Sequence, residues 1–233
     1  MSEPAAAPLT PAQLAPFIQH TRIDVTATSQ DMIAHAREAI HYGFDAAMVS
    51  GSWVSLVAAE LAGTGVGVAS ALDFPLVGIT SSAGKAAEAA ELVRLGATQL
   101  DMGVQIGWLK SGMFTEFRED IAGVVKAGGV PVKVMLELPL LSASERETAV
   151  ELAMDAGAAY LKNASSGTVE TANPDSVRFL VERARPGVLV KASGSIKSYL
   201  QALSLLDAGA VLLGTSAGIA IVTDSYDENT TSY

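Results

Sequence analysis

The sequence predicts a single (β/α)8 TIM barrel, the α/β fold in which eight parallel strands alternate with helices. Eight short apolar runs alternate with segments of helical periodicity along the chain, and no stretch has the composition of a linker between domains. Three predicted helix-to-strand joints also share one pattern, in which a glycine supplies a left-handed helix stop. These joints are Leu95-Gly96-Ala97, Ala156-Gly157-Ala158 and Ala208-Gly209-Ala210.

The predicted strands cover residues 17–21, 44–49, 66–71, 98–102, 132–137, 159–162, 188–191 and 211–214. The helical segments between them cover residues 24–42, 53–62, 82–95, 107–129 (a loop and a helix), 142–156, 174–184 and 196–207. Thr28 or Ser29 can cap the first helix, and Gly43 can end it. The barrel domain is assigned to residues 14–223, between flexible tails at 1–13 and 224–233.

Composition excludes several classes of function. A net charge of −10 argues against a nucleic-acid or anionic-membrane partner. The chain has no cysteine, which excludes thiolate chemistry and favours a cytoplasmic location. The first residues lack the basic region of a signal peptide. The longest uncharged run, 208–223, is shorter than the roughly 20 residues that span a bilayer.

Two lysines end predicted strands at the face where such barrels carry their active sites. Lys162 ends strand six and Lys191 ends strand seven, each followed by small, loop-forming residues. Burying an unpaired ammonium ion costs several kcal/mol, so an inward lysine at a strand end usually has a role. Two neighbouring lysines repel, which lowers the pKa of at least one and makes it a nucleophile for carbonyl carbon.

Side chains alternate along a strand, so Lys133 and Glu137 of predicted strand five share its inward face. Asp101 ends predicted strand four. These three residues could form one charge network with Lys162 and Lys191. Lys133 and Glu137 could equally be a pair that only fills space, and Asp101 could instead cap a following turn.

Small residues follow strands seven and eight, where barrels commonly bind phosphate through backbone N–H groups. The candidate phosphate-binding residues are Gly194, Ser195, Gly214, Thr215 and Ser216. The histidines are assigned to the surface or to the first strand: His20, His35 and His41. None shows metal-ligand spacing with a carboxylate partner, so the sequence predicts no metal site.

Four motifs resemble those of the 2-deoxyribose-5-phosphate aldolases, and the likeness spans roughly residues 18–222. The motifs lie at residues 99–112 (QLDMGVQIGWLKSG), 131–137 (PVKVMLE), 190–194 (VKASG) and 214–216 (GTS). The resemblance implies a class I aldolase, a carbon–carbon lyase that uses no cofactor. It would cleave 2-deoxy-D-ribose 5-phosphate reversibly to acetaldehyde and D-glyceraldehyde 3-phosphate. The expected partners are therefore these small molecules, and a second copy of the chain in a homodimer is the one macromolecular partner considered.

The resemblance also implies site roles. Lys162 would be the Schiff-base lysine, Lys191 the lysine that perturbs it, and Asp101 the carboxylate of a proton relay. Some members use a C-terminal tyrosine near the site, a role that would fall to Tyr233. The alternatives are an aldolase of the same fold that acts on a different hydroxy-aldehyde, with or without a phosphate, and a sugar-phosphate-binding barrel without turnover.

Several pocket positions depart from the family pattern and leave the substrate open. The usual Asp-His-Thr of the first strand is Gln19-His20-Thr21, and the usual Thr-Ser-Thr-Gly after the nucleophile is replaced from Asn163 and Ala164 onward. The paired glycines after strand seven are Gly194-Ser195. The groups that carry chemistry therefore persist while the lining of the pocket changes.

Overall fold

The computed structural model describes residues 8–225, which form a closed barrel of eight parallel strands in chain order. The predicted (β/α)8 fold is therefore confirmed. The strands are β1 (Ile18–Arg22), β2 (Ala46–Val49), β3 (Gly67–Leu72), β4 (Gln99–Gly103), β5 (Val132–Met135), β6 (Tyr160–Lys162), β7 (Leu189–Ser193) and β8 (Leu212–Thr215). Pairing of β1 with β8, in which His20 lies opposite Thr215, closes the barrel.

The α-helices surround this barrel and bury their apolar faces against its outer surface. They are α1 (Ser29–Tyr42), α2 (Val54–Leu61), α3 (Ser82–Arg94), α4 (Ile106–Lys110), α5 (Phe114–Gly128), α6 (Ala143–Asp155), α7 (Pro174–Arg183), α8 (Tyr199–Asp207) and α9 (Gly218–Thr223). Short 3-10 helices occupy Pro11–Phe17, Gly51–Trp53 and Leu138–Leu140.

Helix α1 begins later than the sequence predicts. Thr28 caps it, since its hydroxyl accepts the Asp31 N–H at 3.3 Å while the Asp31 carboxylate accepts the Thr28 N–H at 2.8 Å. Asp24 instead accepts the Thr26 N–H at 3.2 Å and holds a turn between β1 and α1. The predicted start at residue 24 is therefore wrong, whereas the predicted stop at Gly43 is confirmed by its φ of 71°.

Strand β5 ends two residues before the predicted boundary. Leu136 still donates its N–H to the carbonyl of Lys162 at 2.9 Å. Glu137 then adopts a left-handed conformation, with φ of 52°, and the chain enters the 3-10 helix Leu138–Leu140. Because of this turn, Glu137 no longer follows the alternation of inward and outward side chains along β5, and the sequence pattern alone does not predict the change.

Both ends of the described chain close the amino-terminal side of the barrel. The 3-10 helix Pro11–Phe17 buries Leu14 and packs against α9. The Tyr199 hydroxyl donates to the carbonyl of Leu9 at 2.7 Å and fixes the approach to this helix. Neither the 3-10 helix nor α9 is predicted by the sequence. Tyr233 and the outer parts of both predicted tails lie outside the described residues.

A buried ion cluster, which the sequence does not predict, lies between α3, α5 and the loop after β3. Lys85 Nζ donates to Asp120 Oδ2 at 2.6 Å and to the carbonyl of Gly103 at 3.0 Å, and it lies 3.4 Å from Asp73 Oδ2. Asp73 also accepts the N–H of Gly78 at 2.7 Å. The cluster therefore ties two helices to a loop at the mouth of the barrel.

The expectation for the histidines is wrong in one respect. His35 is buried against His20 instead of lying at the surface, and Glu38 Oε2 lies 3.1 Å from His20 Nε2. Burial lowers the pKa of His35 to about 3. His20 and His35 thus share the carboxylate neighbour Glu38, which the sequence analysis missed although it lies three residues after His35 on α1.

Within residues 8–225, no helix has the length and apolar character that crossing a membrane requires.

Candidate active site

The candidate active site lies inside the barrel, near the carboxyl ends of β4, β6 and β7. Strand register places Lys162 beside Lys191, and Asp101 beside Lys133. Because side chains alternate across a strand, a charged residue next to an outward-facing apolar residue points into the barrel. All four charged side chains converge in this way, as the sequence predicts for Asp101 with the three lysines.

Asp101 is the centre of the cluster. Its Oδ2 accepts hydrogen bonds from Lys162 Nζ at 2.8 Å and from Lys191 Nζ at 2.7 Å. Lys133 Nζ lies 3.5 Å from the other oxygen, Oδ1. Asp101 therefore contacts all three lysines, and the alternative that it caps a turn is wrong.

The pKa values in the cluster are set by burial and by the excess of three lysines over one carboxylate. Burial alone would raise the pKa of Asp101, but the ammonium groups of Lys162, Lys191 and Lys133 outweigh it and lower that pKa. Burial lowers the pKa of Lys191 well below its usual value, against the attraction of Asp101. Burial likewise lowers the pKa of Lys133. Proton exchange by Lys191 is thereby brought nearer to neutral pH.

The three lysines differ in their access to the mouth of the barrel. The side chain of Lys162 is 6% exposed, while those of Lys191 and Lys133 are 1% and 0% exposed. Lys162 is therefore the amine that a molecule entering from the mouth meets first. Lys133 is also held against the ring of Tyr160, with Nζ 5.5 Å from its centroid.

Gln19 is a member of the site that the sequence analysis recorded only as a departure from the family pattern. Its Oε1 accepts from Lys191 Nζ at 2.5 Å. Its Nε2 donates to Asp45 Oδ2 at 2.9 Å and to Gln99 Oε1 at 2.6 Å. Side chains alternate between the two faces of a strand, and this alternation in β1 and β4 puts Gln19 and Gln99 on the inward face. That pattern is the sequence signal from which this network could have been predicted.

Glu137 lies beside the cluster without joining it. Its Oε1 accepts the Ser165 N–H at 2.8 Å, and its Oε2 has no hydrogen-bond partner in the part of the chain that the structure describes. The proposed pairing of Glu137 with Lys133 is therefore not formed. Burial raises the pKa of Glu137. Its observed structural role is to hold the loop that follows β6.

The residues after Lys162 and after Lys191 hold two loops together. Asn163 accepts the Ser193 N–H at 2.9 Å and donates to the Ser193 carbonyl at 3.0 Å, a buried clamp between β6 and β7. Gly167 packs closely against Ser195, where an added Cβ would meet the Ser195 hydroxyl. Ser195 is exposed and adopts a φ of 48°.

The other candidate phosphate-binding residues occupy different environments. Gly214 borders the lysine cluster, where an added Cβ would lie 3.1 Å from Lys191 Cε. The Thr215 hydroxyl donates to the carbonyl of Ile196 at 2.6 Å and accepts the Ala217 N–H at 2.9 Å. Ser216 is exposed, whereas Gly194 is buried with a φ of 123°. Ser195 and Ser216 are thus the two side chains of this set that face solvent.

Comparison with known proteins identifies the family of this barrel. No family model matches the chain. A deoxyribose-phosphate aldolase of Methanothermobacter thermautotrophicus is 40% identical over 211 residues, which are 90% of this chain and 94% of the relative. One from Crocosphaera subtropica is 39% identical over 209 residues, which are 90% of this chain and 94% of that relative.

A solved structure agrees with these relatives. The deoxyribose phosphate aldolase from Aeropyrum pernix, described as a tetramer, superposes with a TM-score of 0.84 at 31% identity. The alignment covers 92% of each chain. The fold and the buried lysine cluster therefore belong to a barrel lyase. The chain is a member of the deoxyribose-phosphate aldolase family, as the sequence motifs indicate.

Proposed function

We propose that this chain is a class I aldolase that reversibly cleaves 2-deoxy-D-ribose 5-phosphate to acetaldehyde and D-glyceraldehyde 3-phosphate. The observation that carries the proposal is the single oxygen of Asp101 that accepts from the amines of both Lys162 and Lys191. Family membership supplies the reaction and the substrate. The shared oxygen supplies a route for the protons that Schiff-base chemistry must move.

Lys162 is the proposed nucleophile because it is the most exposed of the three lysines in the cluster. An amine must be neutral to attack a carbonyl carbon. A proton from Lys162 can pass through Asp101 Oδ2 to Lys191, whose pKa is lowered by burial. The transfer leaves Lys162 neutral and Lys191 charged, with no net change of charge in the cluster.

The reaction then follows from these two positions. Lys162 Nζ adds to C1 of the open-chain sugar, and loss of water, assisted by Lys191 and Asp101, gives an iminium ion. The bond between C2 and C3 breaks as the C3 hydroxyl loses its proton, which releases glyceraldehyde 3-phosphate. The electron pair passes to the iminium and forms an enamine. Protonation at C2 and addition of water then release acetaldehyde and regenerate the amine.

The phosphate is assigned to the loops after β7 and β8, through Gly194, Ser195, Gly214, Thr215 and Ser216. Small residues at these positions let backbone N–H groups approach an anion. The exposed Ser195 and Ser216 offer hydroxyl donors, while the hydroxyl of Thr215 already supports the loop. Neutral donors bind a dianion less strongly than donors assisted by a cation.

A second candidate is an aldolase of the same fold whose natural substrate is an unphosphorylated hydroxy-aldehyde. The observation that favours it is the loop after β6, where residues 163–173 contain no lysine or arginine. Comparing kcat/KM for deoxyribose 5-phosphate and for deoxyribose separates the two candidates. A higher value for the phosphorylated sugar supports the family substrate; turnover of deoxyribose alone overturns it and leaves the Schiff-base chemistry intact.

Reductive trapping tests the nucleophile. Acetaldehyde with borohydride should ethylate Lys162 irreversibly, and peptide mass spectrometry locates the adduct. Lys162→Met should lose both the adduct and turnover, whereas the matched control Lys110→Met, at an exposed lysine, should keep both. Full labelling of another lysine in Lys162→Met would refute the assignment, and the absence of any adduct in the parent chain would indicate a barrel that binds without turnover.

We also propose a homodimer and a cytoplasmic location. The exposed Leu76 and Ile79, in the loop after β3, offer apolar surface for association. The absence of cysteine fits a reducing compartment. Sedimentation velocity tests the dimer, and a Leu76→Glu variant that sediments like the parent chain would exclude this loop from the interface.

A further inference from the structure

A second cluster of ligand-type side chains lies on the outer surface of the barrel. His20 follows Gln19 in β1, so its ring points away from the lysine cluster and toward α1. His35 projects from α1 and stacks on His20, with ring centroids 4.4 Å apart and planes inclined by 27°. Both residues are buried, at 5% and 1% exposure.

Glu38 completes the cluster from the same face of α1. It lies three residues after His35, a spacing that puts both side chains on one face of a helix. Its Oε2 is 3.1 Å from His20 Nε2 and 4.0 Å from His35 Nδ1. All three ligand atoms lie within 4.8 Å of one another. Tetrahedral zinc with bonds of about 2.1 Å places its ligand atoms roughly 3.4 Å apart, which is close to these separations. The two imidazole rings must turn from their stacked arrangement to aim both lone pairs at one ion.

The hydrogen bonding of His35 favours a ligand role. Its Nε2 lies 3.1 Å from the carbonyl oxygen of His20. When Nε2–H donates to that carbonyl, Nδ1 carries the free lone pair and faces Glu38. Metal-ligating histidines characteristically donate their other ring N–H to a backbone carbonyl in this way.

The orientation of the His20 ring selects Nε2 as its ligand atom. Its Nδ1 is buried and has no hydrogen-bond partner among the described residues. A Cβ added to Gly218 would lie 2.8 Å from this atom, so the glycine leaves room for the ring and Nδ1 faces α9. Nε2 faces Glu38 and is therefore the nitrogen that the ring offers to an ion on the α1 side.

We propose that His20 Nε2, His35 Nδ1 and a Glu38 oxygen bind one divalent transition-metal ion, with zinc as the probe and water as its fourth ligand. Two imidazoles and a carboxylate are donors that suit zinc. The side chain of Glu38 is 39% exposed and gives the ion a path from solvent. The nearby cation Arg22 is paired with Asp24 and Asp31, at 3.2 and 3.4 Å, which reduces its repulsion of a metal.

The ion would join β1 to α1 and would stabilise the fold without taking part in carbon–carbon cleavage. Gln19 and His20 point to opposite faces of β1, so the metal and the lysine cluster are separated by the barrel wall. Activity of the protein after treatment with EDTA should therefore equal that of the zinc-loaded protein.

The test is a zinc titration of tag-free protein, stripped with EDTA and desalted, in competition with a chromophoric chelator. One equivalent should bind, and zinc at about 100 times its Kd should raise Tm by roughly 5–10 °C. His35→Leu and Glu38→Gln should each weaken binding at least about 10-fold. The control His41→Asn, an exposed histidine on the same helix, should bind zinc as the parent chain does.

Glu38→Gln alters a partly exposed side chain, so it keeps the test decisive if His35→Leu fails to fold. Cobalt substitution adds a spectroscopic measurement, because tetrahedral cobalt with nitrogen and oxygen ligands gives visible absorption bands that both ligand variants should lose. Failure of the parent chain to bind zinc would overturn the proposal. Binding that Glu38→Gln leaves unchanged, or that His41→Asn removes, would overturn it equally.

Discussion

Asp101→Asn tests whether one carboxylate holds the lysine cluster together. The substitution keeps the shape of the side chain and removes its charge. It alters two hydrogen bonds to Oδ2, from Lys162 at 2.8 Å and Lys191 at 2.7 Å, and the contact of Lys133 with Oδ1 at 3.5 Å. All of these groups are buried, so solvent compensates little for the loss.

The expected cost can be worked from those contacts. A hydrogen bond to a charged group contributes about 1.5–3 kcal/mol, so two of them give about 3–6 kcal/mol. Breaking a buried ion pair by removing one partner costs about 3–5 kcal/mol. We therefore expect Asp101→Asn to lower the free energy of unfolding by about 3–5 kcal/mol at pH 6.

The cost should shrink as pH rises. In the parent chain the charge of Asp101 works against burial and raises the pKa values of Lys191 and Lys133, so its removal lowers both. A lysine in the unfolded chain has a pKa near 10.4. At pH values between the lowered pKa of these lysines in the folded protein and about 10.4, the unfolded chain binds more protons than the folded chain, so stability rises with pH. The loss of stability caused by Asp101→Asn should therefore be smaller at pH 9.5 than at pH 6.

Urea unfolding at pH 6 and pH 9.5 measures both quantities. Lys191→Met in each background completes a double-mutant cycle, which should show coupling between Asp101 and Lys191. In Asp101→Asn alone, kcat/KM should fall by about 10²–10⁴, while reductive trapping on Lys162 persists at a lower rate. A loss below about 1 kcal/mol at pH 6, or an equal loss at both pH values, would refute the assignment of Asp101 as the ionised partner of the lysines.

Three further variants test individual side chains. Lys133→Met should raise the free energy of unfolding by about 1–3 kcal/mol, because Lys133 Nζ is buried without a hydrogen-bond partner within residues 8–225 while Asp101 keeps two other lysine partners; a lower free energy of unfolding in urea would show that the contact of Lys133 with Asp101 is net stabilising. Lys85→Met should instead lower the free energy of unfolding by about 3–5 kcal/mol, because it leaves the buried Asp120 without its cation; an unchanged free energy of unfolding would show that the pair of Lys85 and Asp120 contributes no net stability. Gln19→Glu should raise the pKa of Lys191 and move the acidic limb of the kcat/KM profile up by about 1 pH unit; an unshifted limb would exclude Lys191 as the proton acceptor.

The barrel could be predicted from sequence because each strand and helix carries its own signal. Short apolar runs and helix-ending glycines are local features, and the φ values of 113°, 90° and 105° at Gly96, Gly157 and Gly209 confirm the predicted joints. Lys162 and Lys191 were also found locally, since each is a charge that follows an apolar run. Lys162 ends β6 as predicted, whereas β7 continues past Lys191 to Ser193, so the predicted strand end at Lys191 is wrong. The cap at Thr28 was among the predicted ones and is confirmed, although the helix was started too early, at residue 24. The end of β5 at residues 136–137 could not be found, because a left-handed residue decides it.

Pairings across the barrel depend on register and helix packing, which no local pattern contains. Lys85 meets Asp120, 35 residues away, only because α3 packs against α5. Lys191 meets Gln19, 172 residues away, only because β8 closes on β1 and brings β7 near it. A shift of one residue in β1 would turn Gln19 outward and His20 inward and would remove this contact.

A neutral residue at position 19 fits the chemistry proposed for the site. Lys191 needs an acceptor to hold its amine beside Asp101, and the Gln19 amide provides one without adding charge. A carboxylate there would stabilise the ammonium form of Lys191 and hinder its return of the proton. Because the other end of the amide donates to Asp45 and Gln99, its orientation is fixed and only its oxygen can face Lys191. Gln19 thus fixes the position of Lys191 while leaving the burial-lowered pKa of that lysine to govern proton exchange.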